Sequence, residues 1–215
     1  MILLIGNKKG GCGKSTTAIN IATELALRGK SVTLVDADPQ QTTARWVKDR
    51  EESSAAPSIH LVVPRKEDKL RDILPELDSR YEFVVVDVAG RDSPELRLAM
   101  TASNLILVPF RPSQPDLDVL PSLQRVISEV VREYNPTLKA LGVLTMAPTN
   151  PNVSEAEEAR LYLSDYPDIV PLRSVIRDRK VYRDSISEGL GVVETDNSKA
   201  KAEIQLLVTE ILSHG

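Results

Sequence analysis

Short apolar runs recur along the chain, and within each run the apolar positions are nearly continuous rather than alternating. They cover residues 2–5, 31–35, 59–63, 83–86, 105–108, 141–144 and, more weakly, 169–170. Continuous runs of this length, rich in Val, Ile and Leu, are the pattern of parallel strands covered on both faces. Segments with helical spacing lie between them. The clearest is residues 116–134, where Val119, Leu120, Leu123, Val126, Ile127, Val130 and Val131 form one stripe. The alternation predicts an α/β fold: a doubly wound, mostly parallel sheet of about seven strands with helices on both faces. Its site is expected at the carboxyl ends of the strands. Residues 53–58 are the only linker-like stretch and read as a surface loop, so residues 1–215 are expected to form a single domain.

Composition narrows the class without changing this architecture. A chain of 215 residues, 41% hydrophobic and 27% charged, suits one globular domain with a full core. The formal net charge of -4 carries no nucleic-acid signature, so any such site must be a local patch. The one cysteine, Cys12, excludes an internal disulfide and an all-cysteine metal site. No apolar run approaches membrane-spanning length, and the apolar start leads directly into a glycine-rich segment. It reads as a strand rather than a signal peptide, and the expected location is the cytoplasm.

The chemistry begins where the first run ends, at Gly6-Asn7-Lys8-Lys9-Gly10-Gly11-Cys12-Gly13-Lys14-Ser15-Thr16-Thr17, with a helix-forming run after it. Gly10, Gly11 and Gly13 allow successive backbone N–H groups to point inward as a nest, and a helix N-terminus adds partial positive charge. Lys14 supplies a full charge and Ser15 a hydroxyl able to ligate Mg²⁺. This is a cradle for a polyphosphate. It departs from the strict pattern G-x-x-x-x-G-K-[ST]: the first glycine is replaced by Lys8, and Lys9 stands immediately before Gly10-Gly11. Cys12 reads as a small side chain filling the loop.

Two acidic strand ends follow. The second run leads into Asp36-Ala37-Asp38-Pro39-Gln40, and two carboxylates one residue apart there need a nearby cation. Beside a phosphate site, Asp38 is placed to position a water for attack on the γ-phosphate and Asp36 to support a metal shell. Phe83-Val84-Val85-Val86-Asp87 is an apolar strand ending in one acid, with Asp87 a second Mg²⁺ contact.

These motifs, in this order, resemble the ParA/MinD group of ATPases. The segment 9–15 resembles their deviant Walker A box, residues 36–40 their D-x-D-P-Q box, and residues 83–87 a Walker B strand. The Val88-Ala89-Gly90 continuation is similar to the form seen in small ParA proteins. The chain starts at the phosphate-loop strand, and so resembles the short type that lacks an N-terminal DNA-binding extension. A single cysteine departs from the iron-protein relatives of the group.

The resemblance implies ATP and Mg²⁺ as cofactors and a homodimer bridged by ATP. Lys9 would reach across to the partner's nucleotide. The loop residues Gly10, Gly11, Cys12, Gly13, Lys14, Ser15 and Thr16 would hold the phosphates. Ser15, Asp36 and Asp87 would serve the metal, and Met146 would border the adenine. Lys9, Lys14 and Asp38 are the expected catalytic set. The implied function is a partition or positioning ATPase that binds nucleoid DNA without sequence preference and is stimulated by a ParB-like adaptor. The DNA contacts are expected from the basic window Arg177, Arg179, Lys180 and Arg183, and from Lys199 and Lys201. The proline-rich loop of residues 109–115 reads as a stiff connection into the long helix, and the resemblance implies that it lies near the nucleotide and contributes to subunit contacts.

The alternatives carry their own signatures. A MinD-like membrane-cycling ATPase would need a basic terminal amphipathic helix. Here the polar face of residues 202–212 carries Glu203 and Glu210, so stable membrane association is not expected and the helix reads as a cover on the core. A protein cargo, such as carboxysomes or chemoreceptor arrays, uses the same engine as DNA segregation. A related biosynthetic ligase would need a pocket for a small-molecule substrate. His60 and His214 are too isolated to suggest a metal site, and Trp46 reads as packing or interface.

Overall fold

The computed structural model describes residues 1–65, 67–150 and 154–215. Each apolar run becomes a strand: β1 (Ile2–Ile5), β2 (Val32–Ala37), β3 (His60–Val62), β4 (Phe83–Val88), β5 (Leu105–Phe110), β6 (Lys139–Ala147) and β7 (Val170–Arg177). They form one seven-stranded sheet in the order β3-β2-β4-β1-β5-β6-β7, and every pairing is parallel. The helices are α1 (Lys14–Leu27), α2 (Thr42–Glu52), α3 (Leu70–Asp78), α4 (Pro94–Ala102), α5 (Gln114–Leu117), α6 (Leu120–Glu133), α7 (Glu155–Leu163), α8 (Lys180–Ser187) and α9 (Ser198–His214). The doubly wound α/β fold is therefore as expected.

Continuous apolar strands feed two cores by alternation. Leu3 and Ile5 of β1 enter one cluster with Ile21 of α1, Trp46 of α2 and Ile204, Leu207 and Val208 of α9. Ile2 and Leu4 enter the other with Leu74 of α3, Leu96 of α4 and Leu123 and Ile127 of α6. From β1 the chain moves to β2 and β3 on one side, returns to β4 beside β1, and then crosses to β5, β6 and β7 on the other side. The crevice at the carboxyl end of β1 is the topological switch point, the usual ligand position in such sheets. The glycine-rich segment emerges there.

Two elements differ from the sequence pattern. The helix expected over residues 116–134 is broken into α5 and α6. Pro121 sits in the first turn of α6, where its missing N–H is harmless, so the helix begins at Leu120. Asp116, 5% exposed, accepts from the Arg111 backbone N–H (3.3 Å) and the Ser113 hydroxyl (3.0 Å), which anchors the connection instead of extending the helix. The weak run at 169–170 opens an eight-residue strand. β7 is an edge strand whose outward amides are closed by acids of α9: Arg173 and Ser174 donate to Glu210 (2.7 and 2.9 Å), and Arg177 to Glu203 (3.2 Å). These contacts make α9 the cover it was expected to be, and they occupy the acids assigned to its polar face.

Trp46 is a packing residue. It is 1% exposed, its indole N–H donates to the Leu190 carbonyl (3.2 Å), and the Arg50 guanidinium lies 5.3 Å from its ring centroid. Arg50 is itself buried and pairs through two 2.8 Å bonds with Glu194, tying α2 to the turn before α9. Among the described residues no helix is long and apolar enough to cross a membrane.

Candidate active site

The phosphate loop runs from Gly6 to Gly13 and ends at the N-terminus of α1. Gly11 (φ 74°) and Gly13 (φ 83°) adopt the left-handed conformation that glycine permits without strain. Asn7, fully buried, fixes the loop to the sheet: its amide donates to the Pro109 carbonyl (2.7 Å), and its oxygen accepts from the Lys9 N–H (3.2 Å). From β6, the Thr145 hydroxyl donates to the Cys12 carbonyl (2.8 Å). The Cys12 side chain is buried, and its thiol meets the Lys9 carbonyl at 3.3 Å. Burial pushes that thiol pKa up, with Lys14 opposing from nearby, so Cys12 is a neutral filler of the loop.

The Lys14 ammonium also turns toward the Lys9 carbonyl, at 3.1 Å. Gly90, just past β4, packs against both. A Cβ at Gly90 would fall 2.6 Å from Lys14 Nζ and 2.7 Å from the Lys9 oxygen and Gly10 Cα. The loop after β4 therefore touches the phosphate loop directly. Lys8 contributes a second link between them, pairing with Asp92 at 3.0 Å.

A cleft of about 590 Å³ opens over this loop. Gly10, Gly11, Gly13, Lys14, Ser15 and Thr16 line one part of it, and Asp38, Gly90, Arg91, Arg111 and Met146 the rest. Of the loop residues assigned to phosphate from sequence, Gly10, Gly11, Gly13, Lys14, Ser15 and Thr16 meet Asp38, which follows β2, in one space, whereas the Cys12 side chain is buried away from it and Lys9 does not line it. Met146 reaches the same cleft, in a left-handed conformation unusual for its residue type (φ 51°). Asp38 is half-buried and accepts from the Gln40 N–H (2.9 Å).

Asp36 and Asp87 are register partners at the ends of β2 and β4. Asp36 accepts from the backbone N–H groups of Asp38 (3.1 Å) and Ala44 (2.8 Å). It holds the 38–41 turn and the start of α2. The metal role assigned to Asp36 from sequence finds both its oxygens occupied by amides. Asp87 is the opposite case: fully buried, with neither carboxylate oxygen hydrogen-bonded. Burial pushes its pKa up to about 7. The Ser15 hydroxyl opposes this from close by without reaching hydrogen-bond geometry, and Lys14 opposes it further, while Asp36 and Asp38 reinforce it. A buried, unsatisfied carboxylate facing a serine hydroxyl at a phosphate cradle fits a divalent cation. Among the described residues no group of three His, Cys, Asp or Glu side chains is arranged to hold a metal. Mg²⁺ takes one or two protein ligands and completes its shell with phosphate oxygens and water, and the Ser15 hydroxyl and Asp87 are oxygen donors of that kind.

The basic window is not one patch. Arg177 ends β7, and its guanidinium donates to the Pro148 carbonyl. Arg179 turns inward and grips Glu203 (2.7 and 2.9 Å). The Tyr182 hydroxyl joins the same carboxylate at 3.0 Å, and its ring is buried, which makes it a packing residue. Lys180 pairs with Asp184 and Arg183 with Asp178, both at the surface. Lys199 is exposed in the first turn of α9, and Lys201 is half-buried. Arg111, Asn7, Thr145 and Gly90 carried no functional assignment from sequence, because each acts through a contact made by a distant element.

A glycine nest at the switch point of a parallel sheet, with a lysine, a serine hydroxyl and Asp38 around one cleft and Asp87 buried behind it, is the site of a phosphate-loop nucleotide-binding protein. The chain belongs to the MipZ ATPase family, whose pattern it matches over residues 1–138, within the wider ParA/MinD group of partition ATPases. It is 32% identical to the maintenance of carboxysome distribution protein A of Halothiobacillus neapolitanus, over 98% of this chain and 95% of that protein. It is 30% identical to the chromosome partitioning protein ParA of Caulobacter vibrioides, over 79% and 80% respectively. Among solved structures, apo McdA of Cyanothece superposes with a TM-score of 0.81 over 98% of both chains at 15% identity, a likeness of fold.

Proposed function

We propose that this protein is a nucleotide-switched positioning ATPase that hydrolyses ATP with Mg²⁺ and changes its assembly state as it does so. The observation that carries this reading is the meeting of Lys14, Ser15 and Asp38 in one cleft, with the unsatisfied Asp87 buried beneath it near Ser15 and Lys14. In this reading the loop N–H groups and Lys14 hold the β- and γ-phosphates, and Thr16 serves the α-phosphate. Ser15 and Asp87 hold Mg²⁺, which when bound neutralises phosphate charge. Asp38 orients the attacking water. Asp36 acts on Asp38 through the turn it anchors.

Lys9 then completes a second subunit's site, so that ATP bridges a homodimer. Its side chain is half-exposed on the loop, while its carbonyl serves the loop's own structure. The dimer binds DNA without sequence preference, and an adaptor protein of ParB type stimulates turnover. The DNA-facing charge in this reading comes chiefly from Lys180, Arg183, Lys199 and Lys201 at or near the surface; Arg177 and Arg179 contribute after release from internal partners. Phosphate release measured with Mg²⁺, then with DNA added, tests the proposal. Turnover that is absent with MgATP and DNA, or unaffected by EDTA, would refute it.

A protein-cargo version has its own support. The match to a carboxysome-distribution protein spans nearly the whole of both chains. The engine is the same, and the adaptor differs: it would bind a protein assembly rather than a DNA centromere. Affinity capture on the ATP-loaded Asp38→Ala chain, followed by asking whether the captured adaptor binds DNA or a protein assembly, separates the two.

A further inference from the structure

The cleft holds a cation that the mechanism above does not use. Arg111 follows β5 on the connection to α5, which is stiffened by Pro112 and flanked by Pro109 in β5 and Pro115 in α5. Its backbone N–H is held by the buried Asp116 (3.3 Å), and the same carboxylate holds Ser113. The side chain then reaches back across the cleft, where Nη2 donates to the carbonyl of Gly11. Its Nε is buried with no partner. Among the described residues no carboxylate pairs with the guanidinium, whereas Arg50, Arg97, Arg179 and Arg183 each have one.

A guanidinium held by one carbonyl, on an arm whose backbone Asp116 fixes and with a buried donor unused, beside the glycine-rich loop, lacks an anion. Guanidinium groups recognise phosphate through paired, charge-assisted hydrogen bonds, which a lysine cannot reproduce. The loop carbonyl it now touches belongs to Gly11, at the exposed tip of the cradle rather than beside the α1 N-terminus. With the α-phosphate at Thr16, as the reading above has it, the terminal phosphate of a triphosphate would extend toward that tip.

We propose that Arg111 is a phosphate ligand supplied by the same subunit, one that binds the terminal phosphate of the nucleoside triphosphate and so distinguishes it from the diphosphate. This rests on the ATPase reading above and adds to it a residue outside its three sequence motifs. The guanidinium leaves the Gly11 carbonyl for the phosphate when the triphosphate enters, so the same arm reports which nucleotide is bound.

The test is equilibrium binding of a non-hydrolysable ATP analogue and of ADP, with Mg²⁺, to the wild-type chain, Arg111→Gln and Arg111→Lys. Binding is followed by calorimetry, and the melting temperature of each nucleotide-free protein is measured alongside. The expected result is a loss of about ten-fold or more for the triphosphate analogue in Arg111→Gln, with ADP affinity held within about two-fold. Arg111→Lys should recover part of the loss. Equal losses for both nucleotides would overturn the proposal and make Arg111 a brace for the loop. Unchanged affinity for both would overturn it also. A wild-type chain that binds ADP and the analogue equally well refutes the discrimination but leaves ATPase function intact, whereas one that binds neither removes the ATPase reading itself.

Discussion

Asp36 and Asp87 stand opposite each other in the pairing of β2 with β4, and their carboxylates have opposite environments. Asp36 takes two backbone N–H groups, while Asp87 is buried with none. One acid is therefore an internal brace, and the other is an unsatisfied carboxylate free to take the ligand role proposed for it. Because an uncompensated buried carboxylate is costly, the apoprotein holds an electrostatic strain at the point where Mg²⁺ would relieve it.

That strain has a pH signature. The Asp87 pKa is 3.8 in its unperturbed state and about 7 when folded, chiefly through burial. Between these values the folded state binds more protons than the unfolded one, so this group's contribution to stability is favourable at low pH and falls as pH rises toward 7. Asp87→Asn should remove that slope in EDTA and be the more stable protein at pH 8, by up to a few kcal/mol. Urea unfolding of both proteins at pH 5 and pH 8 measures the difference. Parallel pH dependences would mean that Asp87 is not strained.

Asp38→Ala should bind MgATP with near wild-type affinity and turn it over at least about 100-fold more slowly, since general-base and water-positioning groups contribute on that order. The turn itself should survive, because its anchor is Asp36. Single-turnover hydrolysis beside an equilibrium binding curve checks both halves. Undiminished turnover would take Asp38 out of the reaction.

Lys9→Ala should separate nucleotide binding from dimerisation. The Lys9 main chain supports the phosphate loop, with its carbonyl receiving Lys14 and its N–H held by Asn7, and alanine keeps both. ATP affinity is expected within about three-fold of wild type, while the ATP-dependent dimer is lost on size-exclusion chromatography with light scattering. A normal dimer would show that the side chain does not act across an interface.

Gly90→Ala tests the contact between the loop after β4 and the phosphate loop. Its methyl would overlap Lys14 Nζ, the Lys9 oxygen and Gly10 Cα, two of which are backbone atoms that cannot swing aside. A loss of about 1–3 kcal/mol in stability or in nucleotide binding is expected from such overpacking. Thermal melting with and without nucleotide would register it, and an unchanged protein would mean that the two loops separate freely.

The basic window divides into structural and surface charges. Arg179→Ala leaves the largely buried Glu203, which also accepts from the Tyr182 hydroxyl, without its guanidinium and should lower stability by about 1–3 kcal/mol. Arg183→Glu with Lys199→Glu should leave melting nearly unchanged and weaken ATP-dependent DNA co-sedimentation. The salt dependence of the residual binding should become shallower, because fewer phosphates are neutralised. Full DNA binding in the double variant would mean that DNA contacts lie elsewhere.

The sequence by itself determined the class of fold and the order of the motifs. Continuous Val, Ile and Leu runs specify buried parallel strands, and a glycine turn between strand and helix specifies a phosphate cradle, because both depend on neighbours a few residues away. Lys14, Ser15, Asp38 and Asp87 were legible for the same reason, each standing at the end of a recognisable run. Pro121 also lay in the sequence as a helix start, but the apolar stripe continued through it and concealed the break. Only the tertiary structure decided which charges were already satisfied. Asp36 met the amide of Ala44, Arg179 met Glu203 from α9, and Arg111 met Gly11, a hundred residues away. The state of a charged group depends on the partners brought within about 4 Å, and that distance is set by the packing of elements remote in the chain.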